Sequence, residues 1–159
     1  MTLENFLCDL NESFKRKAEE KRSRVEAQMR EEKLKKEYLR DFNEVYSKCV
    51  VRKIKRVEKN LSKDFKIKYK TPLEQFNREQ IEGSILFYPK FISGVYEVKL
   101  SVRGHYKTQE LTITGSAVYR LHARHKEDST VFKDTIRNFD SAQVENYISQ
   151  VLRHYFIES

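Results

Sequence analysis

The chain has 159 residues, of which 38% are apolar and 35% charged, and 32 Lys/Arg against 24 Asp/Glu leave a formal net charge of +8. A charged share above the usual ~25% is too high for one fully compact globule, yet 9 Tyr and 10 Phe are too many for a disordered chain. The reading is one compact domain with an extended, highly charged appendage. No stretch approaches the ~20 apolar residues that span a bilayer, so no membrane partner is expected.

The stretch MTLENFLCDLNESF has no basic n-region, and Glu4, Asn5 and Asp9 interrupt its apolar residues. It is therefore not read as a signal peptide. Two cysteines, Cys8 and Cys49, make no disulfide framework, and a reducing, cytoplasmic compartment is expected.

The first Pro is Pro72 and the first Gly is Gly83, so residues 1–61 read as helix, rich in Lys, Glu, Arg and Leu. Residues 11–40 carry 18 charged side chains around a thin seam of Phe14, Ala18, Val25 and Met29. That seam suits a coiled-coil strand or a solvated helix held by Glu–Lys pairs, and an association arm is favoured. From Leu34 an apolar stripe runs through Tyr38, Phe42, Val45 and Cys49, and then Val50, Ile54, Val57 and Leu61. It is about 42 Å long, against roughly 17–20 Å for a common strand. The surplus, Leu34, Tyr38 and Phe42, is therefore expected to be covered by a second copy in a homodimer.

Asn60-Leu61-Ser62 is the expected hinge, dividing a helical arm (1–61) from an α+β domain (62–159). Phe65, Ile67 and Tyr69 then alternate with Lys66, Lys68 and Lys70, a half-buried strand that Pro72 ends. Residues 73–83 read as a loop or short helical turn. Further strands are expected at 84–91, 95–103, 106–114, 117–124 and 130–137, with turns at Gly94, Gly104, Gly115 and 126–129. In the strand 95–103, Tyr96, Val98, Leu100 and Val102 share one face. Short connections imply an antiparallel meander of about four to six strands. Asp140 suits an N-cap with Phe139 stapling onto Val144. The final helix carries Val144, Ile148, Val151 and Tyr155 toward one sheet face, an α+β fold.

The charge is concentrated. Residues 1–47 and 71–159 each balance 11 basic against 11 acidic side chains, while residues 48–70 hold ten basic and two acidic ones. In that segment Arg52, Lys55, Arg56, Lys59 and Lys63 follow three/four spacing opposite the apolar stripe. Lys66, Lys68 and Lys70 leave the strand opposite its aromatic face. Two consecutive elements thus present cations, the pattern that engages phosphate backbones. No helix-turn-helix, zinc-finger or RNA-recognition signature accompanies them, so readout of base sequence is not expected.

The same surface also suits an acidic protein partner, as an adaptor or inhibitor of a larger complex. A third reading comes from Glu97-Val-Lys99 with Glu82 upstream. These three residues resemble the Glu-x-Lys arrangement of metal-dependent nucleases of the restriction-endonuclease type. Glu82 stands where that family has aspartate, and a strand replaces the helix that should follow.

No catalytic residue, cofactor or metal is assigned. His122 and His125 fall three apart in an expected strand and point to opposite faces, His105 sits at a turn, and His154 lies on the last helix. Cys49 lies on the apolar stripe, where a thiol is inert.

Overall fold

The computed structural model describes residues 2–121 and 128–158. His122 and His125 fall outside the described residues. The chain divides into two compact units, Met1–Glu37 and Tyr38–Ser159. The sheet-bearing unit therefore begins at Tyr38, whereas the sequence suggested a division at 61/62.

The first unit is helical: α1 runs Leu3–Asn43, and within residues 3–37 no described side chain is buried. Phe14, Val25, Met29 and Leu34 are all exposed.

The second unit starts with the last turn of α1. A π-helical segment, Glu44–Val51, and α2, Arg52–Leu61, follow without a break. Five strands come next: β1 Phe65–Gln75, β2 Gln80–Pro89, β3 Val95–His105, β4 Glu110–Tyr119 and β5 Ser129–Thr135. Helix α3, Val144–Phe156, ends the fold. The strands pair antiparallel in sequence order, β1-β2-β3-β4-β5, which is the expected meander. Among the described residues no helix is long and apolar enough to cross a membrane.

The buried face of the helical rod is spaced by four throughout, at Tyr38, Phe42, Tyr46, Val50 and Ile54. In a regular α-helix each such step advances about 40° beyond a full turn, so the stripe would spiral off the sheet. The wider i→i+5 turns of Glu44–Val51 take up that drift and hold the residues on one line.

Tyr38 (1% exposed) and Phe42 (0%) belong to this chain's own core, and only Leu34 (56%) stays exposed. Their expected role in association is corrected, and the reason is strand length. At 11 residues, β1 and β3 each span about 36 Å. That is enough to cover the rod from Tyr38 to Ile54.

Helices approach the sheet where it lacks a Cβ. A methyl added at Gly83 would lie 2.6 Å from the Tyr46 ring, at Gly104 2.7 Å from Phe42, and at Gly115 2.6 Å from Val151. Gly104 and Gly115 therefore lie inside β3 and β4 and mark no turns. The β3–β4 turn is at residues 106–109, and between them the segments expected as two strands, 106–114 and 117–124, yield one strand, Glu110–Tyr119. Gln109, at φ 60°, closes that turn, and its side-chain amide donates to the Tyr106 carbonyl at 2.8 Å.

Three further differences have local causes. Pro72 does not end β1: the strand continues to Gln75 through a register shift between Lys70 and Leu73, and residues 80–82, expected in a loop, pair with it. A proline is tolerated there because β1 is an edge strand with a bulge. A second shift between Val95 and Glu97 puts Val95 inside and Tyr96 (49% exposed) outside. Asp140 accepts from Ala142 N–H at 2.9 Å and so caps a 3₁₀ turn, Ser141–Gln143, just ahead of α3. Phe139 meets the Phe132 ring edge-on at 5.8 Å.

Candidate functional site

Val50 and Ile54 are fully buried and set the roll of α2. Arg52, Lys55, Arg56 and Lys59 then face solvent by helical geometry. In β1 the half-buried Phe65, Ile67 and Tyr69 pack against the core, leaving Lys66, Lys68 and Lys70 exposed on the outer face. Lys63, in the connecting turn, is exposed as well. The two groups meet at Tyr69: Lys55 Nζ lies 5.2 Å from its ring centre. Burial first, and then the Glu58 carboxylate, push the Tyr69 hydroxyl up to about 12.

Cations elsewhere on the sheet are neutralised locally. Lys99 and Arg103 reach Glu82 at 3.2 and 3.6 Å, Lys107 reaches Glu79 at 2.6 Å, and Lys133 reaches Glu110 at 3.8 Å. Among the described residues, none of Arg52, Lys55, Arg56, Lys59, Lys63, Lys66, Lys68 and Lys70 has a carboxylate within 4.0 Å. Their mutual repulsion therefore favours solvent counterions or an anionic ligand beside them.

Beside them lies an aromatic pair that the sequence pattern did not single out. Lys66 is in register with Tyr88 of β2, and Lys68 Nζ sits 5.6 Å over the Tyr88 ring. Tyr88 meets Tyr96 edge-on at 5.8 Å, and the Arg120 guanidinium lies 5.8 Å from the Tyr96 ring centre. Burial, then the Glu97 carboxylate, raise the Tyr88 hydroxyl above its ordinary value. The bulge at Val95–Glu97 turns Tyr96 outward, against the alternation of the sequence.

On the same outer face, across β3 to β5, lies an open hollow of about 710 Å³ lined by Ser101, Thr112, Thr114, Ser116 and Thr130 among charged neighbours. The alternation in TITGS, with Ile113 and Gly115 inward, is its trace in the sequence.

The three residues of the nuclease-like pattern are placed as follows. Lys99 and Arg103 both engage Glu82, while Glu97 stands beside Tyr88. Among the described residues no group of three His, Cys, Asp or Glu is placed to hold a metal ion. Cys49 is half-buried, and burial, with Glu44 adding to it, raises its thiol; Cys8 is exposed.

Compared with protein-family models, curated proteins and solved structures, the chain finds no match in any of the three.

Proposed function

We propose that this is a non-enzymatic binding protein that holds a nucleic-acid strand, without reading its sequence, along α2 and the outer face of β1. The observation that supports the reading is the set of eight exposed cations that, among the described residues, have no carboxylate within 4.0 Å, bordered by Tyr88 and Tyr96. Lysine and arginine neutralise phosphates and release counterions, which supplies affinity independent of sequence. The exposed Tyr96, backed by the half-buried Tyr88, adds stacking, worth about 1–3 kcal/mol per base and tolerant of base identity, which favours single strands. No catalytic step is assigned, and a reducing, cytoplasmic setting fits its two thiols.

The test is retention of labelled single and double strands across a salt gradient. Wild type is expected to lose affinity steeply with salt, and the variant with Arg52, Lys55, Arg56 and Lys59 changed to Glu to show a flatter slope for every sequence. Tight, salt-insensitive binding by that variant would refute the reading.

The position of β1 at the sheet's edge supports a second reading, in which an extended acidic segment of another protein adds a strand beside its lysines. A protein that ignores nucleic acid but binds an acidic extended peptide would favour it.

A further inference from the structure

At the end of its row of lysines β1 changes character. Pairing with β2 is regular as far as Lys70 and Ser84 and resumes at Leu73 and Glu82, so Thr71 and Pro72 stand outside the ladder. The strand is fastened just ahead of this step, where the Tyr46 hydroxyl lies 2.6 Å from the Lys70 carbonyl. Thr71 is exposed, and among the described residues its hydroxyl makes no hydrogen bond. Ser62, the one serine or threonine within residues 48–70, instead donates to the Lys59 carbonyl at 3.1 Å.

Of the two prolines, Pro72 follows a threonine and Pro89 a tyrosine, so Thr71-Pro72 is the chain's single Ser/Thr-Pro step. The proline disfavours the helical region for Thr71 and holds it extended. Having no N–H, Pro72 cannot draw the step back into a ladder. An exposed, extended threonine with a free hydroxyl, on an edge strand, is the shape in which an enzyme cleft takes a peptide substrate.

Position decides what a phosphate there does. Lys70 adjoins Thr71, and Lys68 lies three residues back, about 10 Å along the strand, comparable with a Debye length of about 8–10 Å. Ten basic less two acidic side chains leave residues 48–70 at +8, and a phosphate offsets about two of those charges at pH 7. It pairs with the nearest lysines and repels a polyanion laid along them.

We propose that Thr71 is a phosphorylation site whose phosphate releases nucleic acid from the cation surface. The switch rests on the nucleic-acid reading of that surface. The co-substrate is ATP and the catalyst a proline-directed serine/threonine kinase. Thr71 Oγ1 attacks the γ-phosphorus, and an O–P bond forms as the bond to the bridging oxygen breaks. ADP leaves, and the hydroxyl proton passes to the kinase's aspartate base.

The experiment treats the full-length chain with ATP, Mg²⁺ and such a kinase and maps the phosphate by mass spectrometry. Retention of a labelled oligothymidine strand is then measured across a salt gradient. One phosphate is expected, on Thr71, with affinity at low salt reduced about tenfold by the added charge. The salt slope is expected to be shallower by about 1.4, since two lysines contribute about 0.7 each on a single strand. Thr71→Val keeps the branched shape without the hydroxyl, and is expected to take up no phosphate and to be retained like untreated wild type. Thermal midpoints are expected to be unchanged throughout. No phosphate on Thr71 of the folded chain overturns the proposal, and so does a Thr71-phosphorylated protein retained like the untreated one. An equal loss in treated Thr71→Val, or a collapse of the thermal midpoint on phosphorylation, overturns it as well. The two readings separate in the untreated protein: if that ignores the strand, the binding reading falls and the switch with it, whereas an untreated protein that is retained but fails any other arm loses the switch alone.

Discussion

Three tyrosines fasten the helices to the sheet by one device. Tyr38 donates to the Glu110 carbonyl at 2.6 Å, Tyr155 to Gly115 at 2.8 Å, and the Tyr46 hydroxyl lies 2.6 Å from the Lys70 carbonyl and 2.9 Å from that of Ser84. Each ring enters where a strand has glycine, so ring and backbone close to hydrogen-bonding distance. Burial pushes the Tyr46 hydroxyl up to about 12, and the hydrogen bond to Ser84 only partly offsets it, so it stays a donor across the physiological range. Tyr46→Phe is expected to lower stability by about 1–2 kcal/mol, read from denaturant midpoints, because carbonyl partners are left without their donor. Gly104→Ala is expected to cost more than Tyr46→Phe, since the new methyl meets the rings of both Tyr38 and Phe42. An unchanged midpoint would show that the helix can lift off the sheet without loss. Glu82 sets a pH dependence. Burial raises its carboxyl, but Lys99 and Arg103 outweigh that and hold it below its ordinary value. Its contribution is therefore present above the unfolded carboxylate value of about 4.3 and lost as pH falls through the lower, folded value. The melting-temperature gap between wild type and Glu82→Gln is expected to be largest near about pH 7 and to close below about pH 4.

At the scale of elements, β1 bears two demands. It is an edge strand, and exposed edges invite pairing with other chains unless lysines, prolines or bulges discourage it. Lys66, Lys68, Lys70, Pro72 and the register shift after Lys70 supply all three. Replacing Lys66, Lys68 and Lys70 with Thr is therefore expected to weaken nucleic-acid retention and to promote aggregation on heating, followed by turbidity. Loss of retention alone would mean that the lysines serve only binding. The elements legible in the sequence were those whose period is local. The alternation at residues 65–70 and the apolar arc of 144–156 read correctly, and so did the meander. The cations were legible because their exposure follows from the same periods. What escaped were places where tertiary packing reverses a local rule. Gly104 and Gly115 look like turn residues but are strand positions that accept a ring or a helix. Pro72 looks like a terminator but sits in an edge bulge. Tyr96 looks inward until the bulge at Val95 turns it out, which hid half of the aromatic pair.

For the whole molecule, the two units differ in what they bury. Residues 3–37 have no buried side chain, whereas Tyr38 and Phe42 are central to the core. Deleting residues 2–33 is therefore expected to shift the thermal midpoint by no more than about 4 °C at dilutions that preclude association. A larger fall would mean that the helix start stabilises the sheet unit. The slip of one position between Cys49 and Val50 in the apolar stripe was a visible mark of the π-helical segment. Its length relative to a common strand misdirected the reading, because strands of 10 and 11 residues are twice the usual size. The bond from Tyr38 to Glu110 joins residues 72 positions apart, with the rod made before the strand it binds. During synthesis at about 5–20 residues per second, the ring of Tyr38 waits roughly 4–14 s before the carbonyl it binds has been made. Tyr46 waits less, because its carbonyl partners at Lys70 and Ser84 are made 24 and 38 positions later, so the rod gains its sheet strand by strand from β1 onward.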